Sequence, residues 1–477
     1  MSEKYTYLFP YEKIPQGSRI IIYGAGDVGQ EYLRQMLLTR YCEVLGFVDR
    51  AYAQCPVMIV PVYAPDKIMS LSFDYVLLAF KMETFAADVK KILLDKGIQE
   101  NKIIFQGARN EPPPILLPIT TSSEVRKKYA FEVAPLSIAL KYGPGLGDAI
   151  IKKRLFIEIT RMAPEAKIDI YAPGGTKFIP SLYSDQPQLN QVIDDGGVLY
   201  AEQHKEYGLS MSIFFMILTD HIEYEKIKTI NPAFAEQMKK HVENHIAYKL
   251  NISPSTQNWI HFSRVLYRHK NCYTLYDYTG IFNIRDTEVN IPLLPAFQKQ
   301  WADMRLGRYI TLNYGNGSAS SGNKQSVSKQ WPKEYFDRFV ILFRKKYPNI
   351  NIVQVGDDST EKIEHATSYV LGQNLELVKY LLKGALFHLD IEGGLMHLAT
   401  QLQTKCIVIF GATQAELFGY PQNINIVSAA CSGCYRLYDN FYECARGMEK
   451  PECIWSITPE MVMERVNVLA NELLILA

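Results

Sequence analysis

The chain carries almost no excess charge: 51 Lys and Arg stand against 50 Asp and Glu, a net of +1. That excludes the basic footprint expected of a protein held to nucleic acid by its phosphates. No apolar run approaches a membrane span, and the polar start MSEKY does not read as a signal peptide. The expectation is a cytoplasmic protein with no membrane span and no nucleic-acid partner. Internal repeats are absent as well. What remains is ordinary globular composition, 48% hydrophobic and 21% charged, over 477 residues, enough for two to four domains. The eight cysteines are unevenly spread: Cys42, Cys55, Cys272 and Cys406 are scattered, whereas Cys431, Cys434, Cys444 and Cys453 crowd into one short segment.

Alternation of short β-rich runs with helical patterns predicts α/β architecture throughout. Residues 1–112 read as a small Rossmann-like unit, with strands at 18–23, 43–48 and 75–80 and helices at 30–38 and 84–96. The stiff Glu111-Pro112-Pro113-Pro114 marks a boundary, and 113–130 is a linker. A second unit, 131–305, opens with a strand at 136–141, a glycine-rich turn at 143–148 and a helix at 149–162. A strand at 167–171 follows, and 202–250 reads as helical and aromatic. A third unit, 306–477, has strands at 309–313, 350–356 and 406–411 and a closing helix at 458–475. The Ser- and Gly-rich stretch 315–328 reads as a mobile loop.

The most informative segment is Lys383 to Thr413, KGALFHLDIEGGLMHLATQLQTKCIVIFGAT. It reads as strand, glycine turn, helix, strand, glycine turn. Two glycines before a helix let a phosphate approach backbone N–H groups at the positive end of the helix dipole. Three further signals accompany it: Gly145-Leu146-Gly147-Asp148 after a strand, Lys329-Gln330-Trp331-Pro332 before a helix, and Phe410-Gly411-Ala412-Thr413 closing a strand. On residues alone, Gly147-Asp148 is also what a helix cap looks like, Lys329 also suits a solvated surface, and His397 also suits a packed, hydrogen-bonded histidine.

In this order and spacing, the four signals resemble the bacterial heptosyltransferase family (glycosyltransferase family nine) over about residues 133–475. The resemblance implies a GT-B fold, two Rossmann-like domains facing across a cleft, with an acceptor domain at 131–305 and a nucleotide-sugar donor domain at 306–477. It implies that Asp148 is the general base and that Lys329 meets the donor phosphates. The segment Glu392, Gly393, Gly394 to His397 would hold phosphate and sugar, with Gly411 nearby. Glu392 stands where that family has Asp, and Gly393 where it has Ser or Thr; Asp390 is an alternative acid.

Cys431-x2-Cys434-x9-Cys444-x8-Cys453 has metal-ligand spacing for zinc or iron. Four thiolates leave no open coordination position, so a structural site is expected; four free thiols are the alternative. Heptosyltransferases that modify bacterial surface proteins look similar in carrying a cysteine-held metal near the C-terminal end.

Near the N-terminus, Gly24-x-Gly26-x-x-Gly29 follows a strand and opens a helix, and Asp49 ends the next strand, as in a dinucleotide fingerprint that could take NAD. The unit resembles NAD-binding-like domains fused to bacterial sugar- and glycan-processing enzymes. It is short and lacks a substrate half, so an accessory role in assembly or acceptor docking is expected. Tyr63-x-x-x-Lys67 contains a proline and reads as loop.

The reading is an inverting glycosyltransferase that moves a sugar from a nucleotide-diphosphate donor; the resemblance implies heptose from ADP-heptose. The acceptor would be Ser or Thr of a bacterial surface or flagellar protein, or else a lipopolysaccharide or capsule sugar. An NAD-dependent sugar-nucleotide oxidoreductase, a non-catalytic assembly protein and a homo-oligomer stay open.

Overall fold

The computed structural model describes residues 5–7, 9–11, 13–39, 41–55, 59–107, 109–110, 136–248, 270–315, 328–435 and 444–474. The connector from 111 to 135 and most of the Ser- and Gly-rich stretch lie outside them.

Three open sheets repeat one strand order. In the first unit the strands are β1 (Arg19–Tyr23), β2 (Glu43–Val48), β3 (Val62–Tyr63), β4 (Tyr75–Leu78) and β5 (Ile103–Phe105). They are parallel in the order β3-β2-β1-β4-β5. Helices α1 (Asp27–Thr39) and α2 (Glu83–Asp95) connect them. A short antiparallel ladder joins Tyr5 to Asn110 and Thr6 to Arg109 and ties the start of the unit to its end.

The second unit places β6 (Ser137–Tyr142), helix α3 (Leu146–Met162), β7 (Lys167–Tyr171), β8 (Leu189–Ile193), β9 (Leu209–Ile213) and β10 (Ile217–Ile222) in the order β8-β7-β6-β9-β10. Only the β9–β10 pair is antiparallel. Two helices follow, α4 (Tyr224–Ile230) and α5 (Pro232–Tyr248). The helical expectation for 202–250 is thus corrected at β9 and β10. LSMSI is too short an alternation to fix its own state, and pairing with β6 decides it. The helix expected from 149 also starts earlier, so Gly147 and Asp148 lie in its first turn.

The third unit contains β11 (Tyr309–Asn313), α6 (Lys333–Lys346), β12 (Asn351–Gly356), β13 (Ser368–Leu371), α7 (Leu375–Gly384), β14 (His388–Ile391), α8 (Gly394–Gln401), β15 (Cys406–Phe410), β16 (Ile424–Val427) and α9 (Pro459–Leu474). Its six strands are all parallel, ordered β13-β12-β11-β14-β15-β16. Covered on both faces, such strands are continuous apolar runs, and CIVIF of β15 is buried at every position. Helix α9 buries Val462, Val466 and Leu469 against Phe336, Phe339 and Phe343 of α6. Trp331 joins the same core and donates its indole N–H to Ile457 O at 2.7 Å.

One apolar core runs through all three units, from Phe9 and Tyr32 through Ile138 and Phe156 to Leu381 and Met396. In each sheet the connections reverse beside the first strand, and that switch point is where open α/β sheets bind ligands, beyond the carboxyl ends of the strands. Among the described residues no helix is long and apolar enough to cross a membrane.

Candidate active site

The switch points of the second and third sheets meet. Helix α3 starts just beyond β6 and helix α8 just beyond β14, and their first turns touch through glycine. A Cβ on Gly147 would lie 2.8 Å from Cδ2 of His397; one on Gly394 would lie 2.9 Å from Cβ of Leu146 and 3.1 Å from the N of Gly147. Side chains at either position would hold the helices apart. Two helix N-termini therefore face one point, each with free N–H groups and the positive end of its dipole.

Asp148 projects from the first turn of α3 with its side chain 53% exposed. One turn on, Lys152 is buried, and its Nζ lies 3.3 Å from Asp148 Oδ1 and 5.4 Å above the Tyr142 ring. Across the junction, Lys329 Nζ meets Glu392 Oε2 at 2.7 Å, and Nε2 of His397 faces Glu392 Oε1 at 3.7 Å. All three of these side chains are nearly enclosed. Burial works against the Glu392 carboxylate, yet the Lys329 ammonium and His397 outweigh it and hold Glu392 down at about 2. Burial likewise opposes the Lys329 charge, but Glu392, Tyr435 and Asp148 prevail and raise it above the ordinary lysine value. The pair is thus ionised, and the charge of Asp148 in the second unit reaches Lys329 in the third.

The glycines have separable parts. Gly393 is extended and caps α8. Gly411 packs against backbone: a Cβ there would lie 2.1 Å from Ser328 O, and the N–H of Ala412 donates to that same oxygen at 2.9 Å. Gly411 thereby seats the residue before Lys329. Asp390 does not join the site. It is fully buried, takes the Asn313 amide at 2.9 Å and its neighbour Ile391 N–H at 2.8 Å, and meets His388 at 3.2 Å. A residue two positions from Glu392 on a strand emerges on the same face but one step deeper in the sheet.

Several contributors carry no sequence motif. Tyr435 lies 5.9 Å from Lys329 Nζ. Tyr420 and Tyr273 bond behind His397. Lys152 could have been found, since a lysine four residues after Asp148 shares its helix face. Beside Leu146 a cleft of about 610 Å³ opens between the second and third units, lined by Lys177, Phe178, Ser181, Phe297 and the α7 start at Asn374 and Glu376.

Cys431, Cys434, Cys444 and Cys453 are all buried, none is in a disulfide, and all four line one small pocket with Tyr11, Arg446 and Glu452. Burial, reinforced by the neighbouring cysteines, pushes the Cys434 thiol up to about 12. Among the described residues no three His, Cys, Asp or Glu side chains stand as a metal-holding group. The donor set itself, four soft sulfurs sharing one enclosed space, suits zinc or iron. The first unit docks here: the Arg446 guanidinium lies 4.9 Å from the Tyr41 ring centroid, and Gln16 donates to Ala430 O.

In the first unit, Gly24 has φ +110 and no room for a Cβ, which would lie 2.8 Å from Ala79 O; Gly29 packs on Gly24 O; Gly26 faces open space. Asp49 is occupied by the turn itself, accepting the Ala25 N–H at 2.8 Å and the Ala51 N–H at 2.8 Å.

Residues 317–439 match the family model described as glycosyltransferase family 9 (heptosyltransferase), and residues 16–104 match C2185-like, N-terminal. No curated protein matches the chain. Among solved structures, it is similar to the Escherichia coli ADP-heptose lipopolysaccharide heptosyltransferase II at 13% identity, TM-score 0.42, over 71% of this chain and 99% of that one. It is similar to a glycosyl transferase family 9 protein from Veillonella parvula at 14% identity, TM-score 0.41, over 72% and 100%. It is also similar to the iron-containing dodecameric glycosyltransferase TibC of enterotoxigenic E. coli at 15% identity, TM-score 0.46, over 71% and 77%. The chain is thus a glycosyltransferase carrying a family 9 (heptosyltransferase) domain over residues 317–439, with a C2185-like domain ahead of it.

Proposed function

We propose that the protein transfers heptose from ADP-heptose to an acceptor hydroxyl with inversion, residues 131–305 receiving the acceptor and 306–477 the donor. The observation that carries this reading is the meeting of α3 and α8, which sets the half-exposed Asp148 of one unit beside Lys329, Glu392 and His397 of the other. Asp148 takes the proton of the acceptor hydroxyl as its oxygen attacks the anomeric carbon. The bond from that carbon to the diphosphate oxygen breaks, and ADP leaves with the bonding pair. Lys329 and the N–H groups at Gly393 and Gly394 stabilise the departing anion. The transition state has oxocarbenium character. Lys152, buried beside Asp148, holds the base in place.

The heptose follows from the family 9 description, and ADP from the resemblance of the motifs. The acceptor is proposed to be Ser or Thr of a bacterial surface or flagellar protein, with a lipopolysaccharide or capsule sugar as the second reading. The cysteine pocket favours the former. We assign Cys431, Cys434, Cys444 and Cys453 a structural zinc or iron; metal content of protein purified without added metal tests this, and a folded, active, metal-free preparation refutes it. The first unit, with Asp49 committed to its own turn, serves assembly or acceptor docking rather than hydride transfer.

Thermal denaturation against ADP-, GDP-, UDP- and dTDP-sugars, NAD and NADP tests the donor, since a ligand of the folded state raises the melting point. A shift with an ADP-sugar that is lost in Lys329→Ala is expected; a shift with NAD alone overturns the reading. Intact-protein mass in a co-expressing host distinguishes the acceptors.

A further inference from the structure

We propose that Gln401, Tyr273 and Tyr420 are positioning residues that fix His397 as the Nε2–H tautomer, so that it presents an N–H donor to the Glu392–Lys329 site. The significance for transfer rests on the function proposed above; the tautomer itself does not.

The argument begins at Gln401, in the last turn of α8. Its Oε1 accepts the backbone N–H of Val289 at 2.9 Å, and its Nε2 donates to the backbone carbonyl of Thr287 at 2.7 Å. A backbone N–H can only donate and a carbonyl can only accept, so the amide has one orientation. Its second N–H donates to the Tyr273 hydroxyl oxygen at 2.9 Å. Tyr273 must then place its own hydrogen on Tyr420, 2.7 Å away. Tyr420 in turn places its hydrogen on Nδ1 of His397, at 2.7 Å. With Nδ1 accepting, the neutral ring carries its proton on Nε2, the nitrogen that faces Glu392 Oε1 at 3.7 Å.

The opposite order leaves the Tyr273 hydroxyl hydrogen without this acceptor. Tyr273 is 0% and Tyr420 1% exposed, so no water can take the place of the missing acceptor, and an unmade bond in such a place is strongly disfavoured. The polarity is therefore imposed from outside the third unit. Thr287, Val289 and Tyr273 all precede β11, and the chain at Cys272 is pinned by its N–H to Leu417 O at 2.8 Å. A histidine of the donor side is oriented from the acceptor side.

The test is nitrogen NMR of full-length protein with 15N-labelled histidine, the His397 signals assigned by their absence in His397→Gln. Wild type is expected to show Nε2–H. Gln401→Glu replaces the donor with an acceptor, so each hydrogen in the relay should reverse and His397 should read as Nδ1–H. Affinity for ADP-heptose should fall about tenfold or more, the weight of one hydrogen bond to a charged ligand. If Gln401→Glu does not fold, Tyr420→Phe removes the partner of Nδ1 and should give mixed tautomers. Nδ1–H or a mixture in wild type overturns the proposal, as does a tautomer untouched by either variant. An Nε2–H signal in a protein that binds no ADP-sugar upholds the relay and removes the donor reading instead.

Discussion

Asp148 and Glu392 are both carboxylates at one junction, yet one is half exposed and the other enclosed against a lysine. Exposure suits a base that must meet an incoming hydroxyl; enclosure suits a group that holds a cation in place. Asp148→Ala is expected to lower kcat by about 10²–10⁴-fold with donor binding intact, as read by steady-state transfer and calorimetry; full activity would refute the assignment. Glu392 has its own signature. Its folded pKa is depressed to about 2, so its contribution to stability is present above the unfolded carboxylate value, about 4.3, and is lost as pH falls towards the folded one. Glu392→Gln should therefore lower the melting point at neutral pH, and the gap to wild type should narrow steadily on acidification. The residues at this scale were legible in proportion to their motif. Asp148, Lys329, Glu392 and His397 each sit in a short pattern, and the structure gathers them. Tyr273, Gln401 and Tyr420 come from distant positions with ordinary neighbours, and only packing reveals their chain of hydrogen bonds.

Two helices meet at Gly147 and Gly394, and the contact has no slack. Gly147→Ala and Gly394→Ala should each cost about 1–3 kcal/mol in overpacking and, on the proposed function, reduce transfer more than donor binding, because they part Asp148 from Lys329 and Glu392. Denaturant titration alongside kinetics checks both effects. At this scale the sequence was most readable where a short run is rich in β-branched and aromatic residues, as at Glu43–Val48, Lys167–Tyr171 and Tyr309–Asn313. It was least readable at Leu209–Ile213 and Ile217–Ile222: Leu-Ser-Met-Ser-Ile does alternate with the strand period, but over only five residues beside helical, aromatic sequence, and the neighbouring strand decides. The first turn of α3 was missed because glycines at 145 and 147 look like loop; they are there because another helix presses on them.

Across the whole molecule the units are joined by buried polar ties as well as by apolar core. Lys379 of α7 donates to Ser181 O and Pro292 O, each at 2.9 Å, and to Glu376 at 2.8 Å, fastening the third unit to the second. Lys379→Ala should destabilise by about 3–5 kcal/mol, since it strands a buried carboxylate, and denaturant unfolding reads this directly. At the other end, Tyr11 of the first unit helps to wall the cysteine pocket. Cys434→Ser should therefore lower metal content and expose the junction of the first unit to limited proteolysis together; loss of one without the other would separate the two roles.

The tie at Lys379 and the glycine contact of α3 with α8 lie at two places along the same cleft. Two points fix a line, and rotation about a line leaves the points on it almost still. Breathing of the cleft about that line would swing its rim through a long arc while hardly moving Asp148 relative to Lys329 and Glu392. On the proposed function, such a geometry would let an acceptor come and go without disturbing the alignment of Asp148 with the donor side.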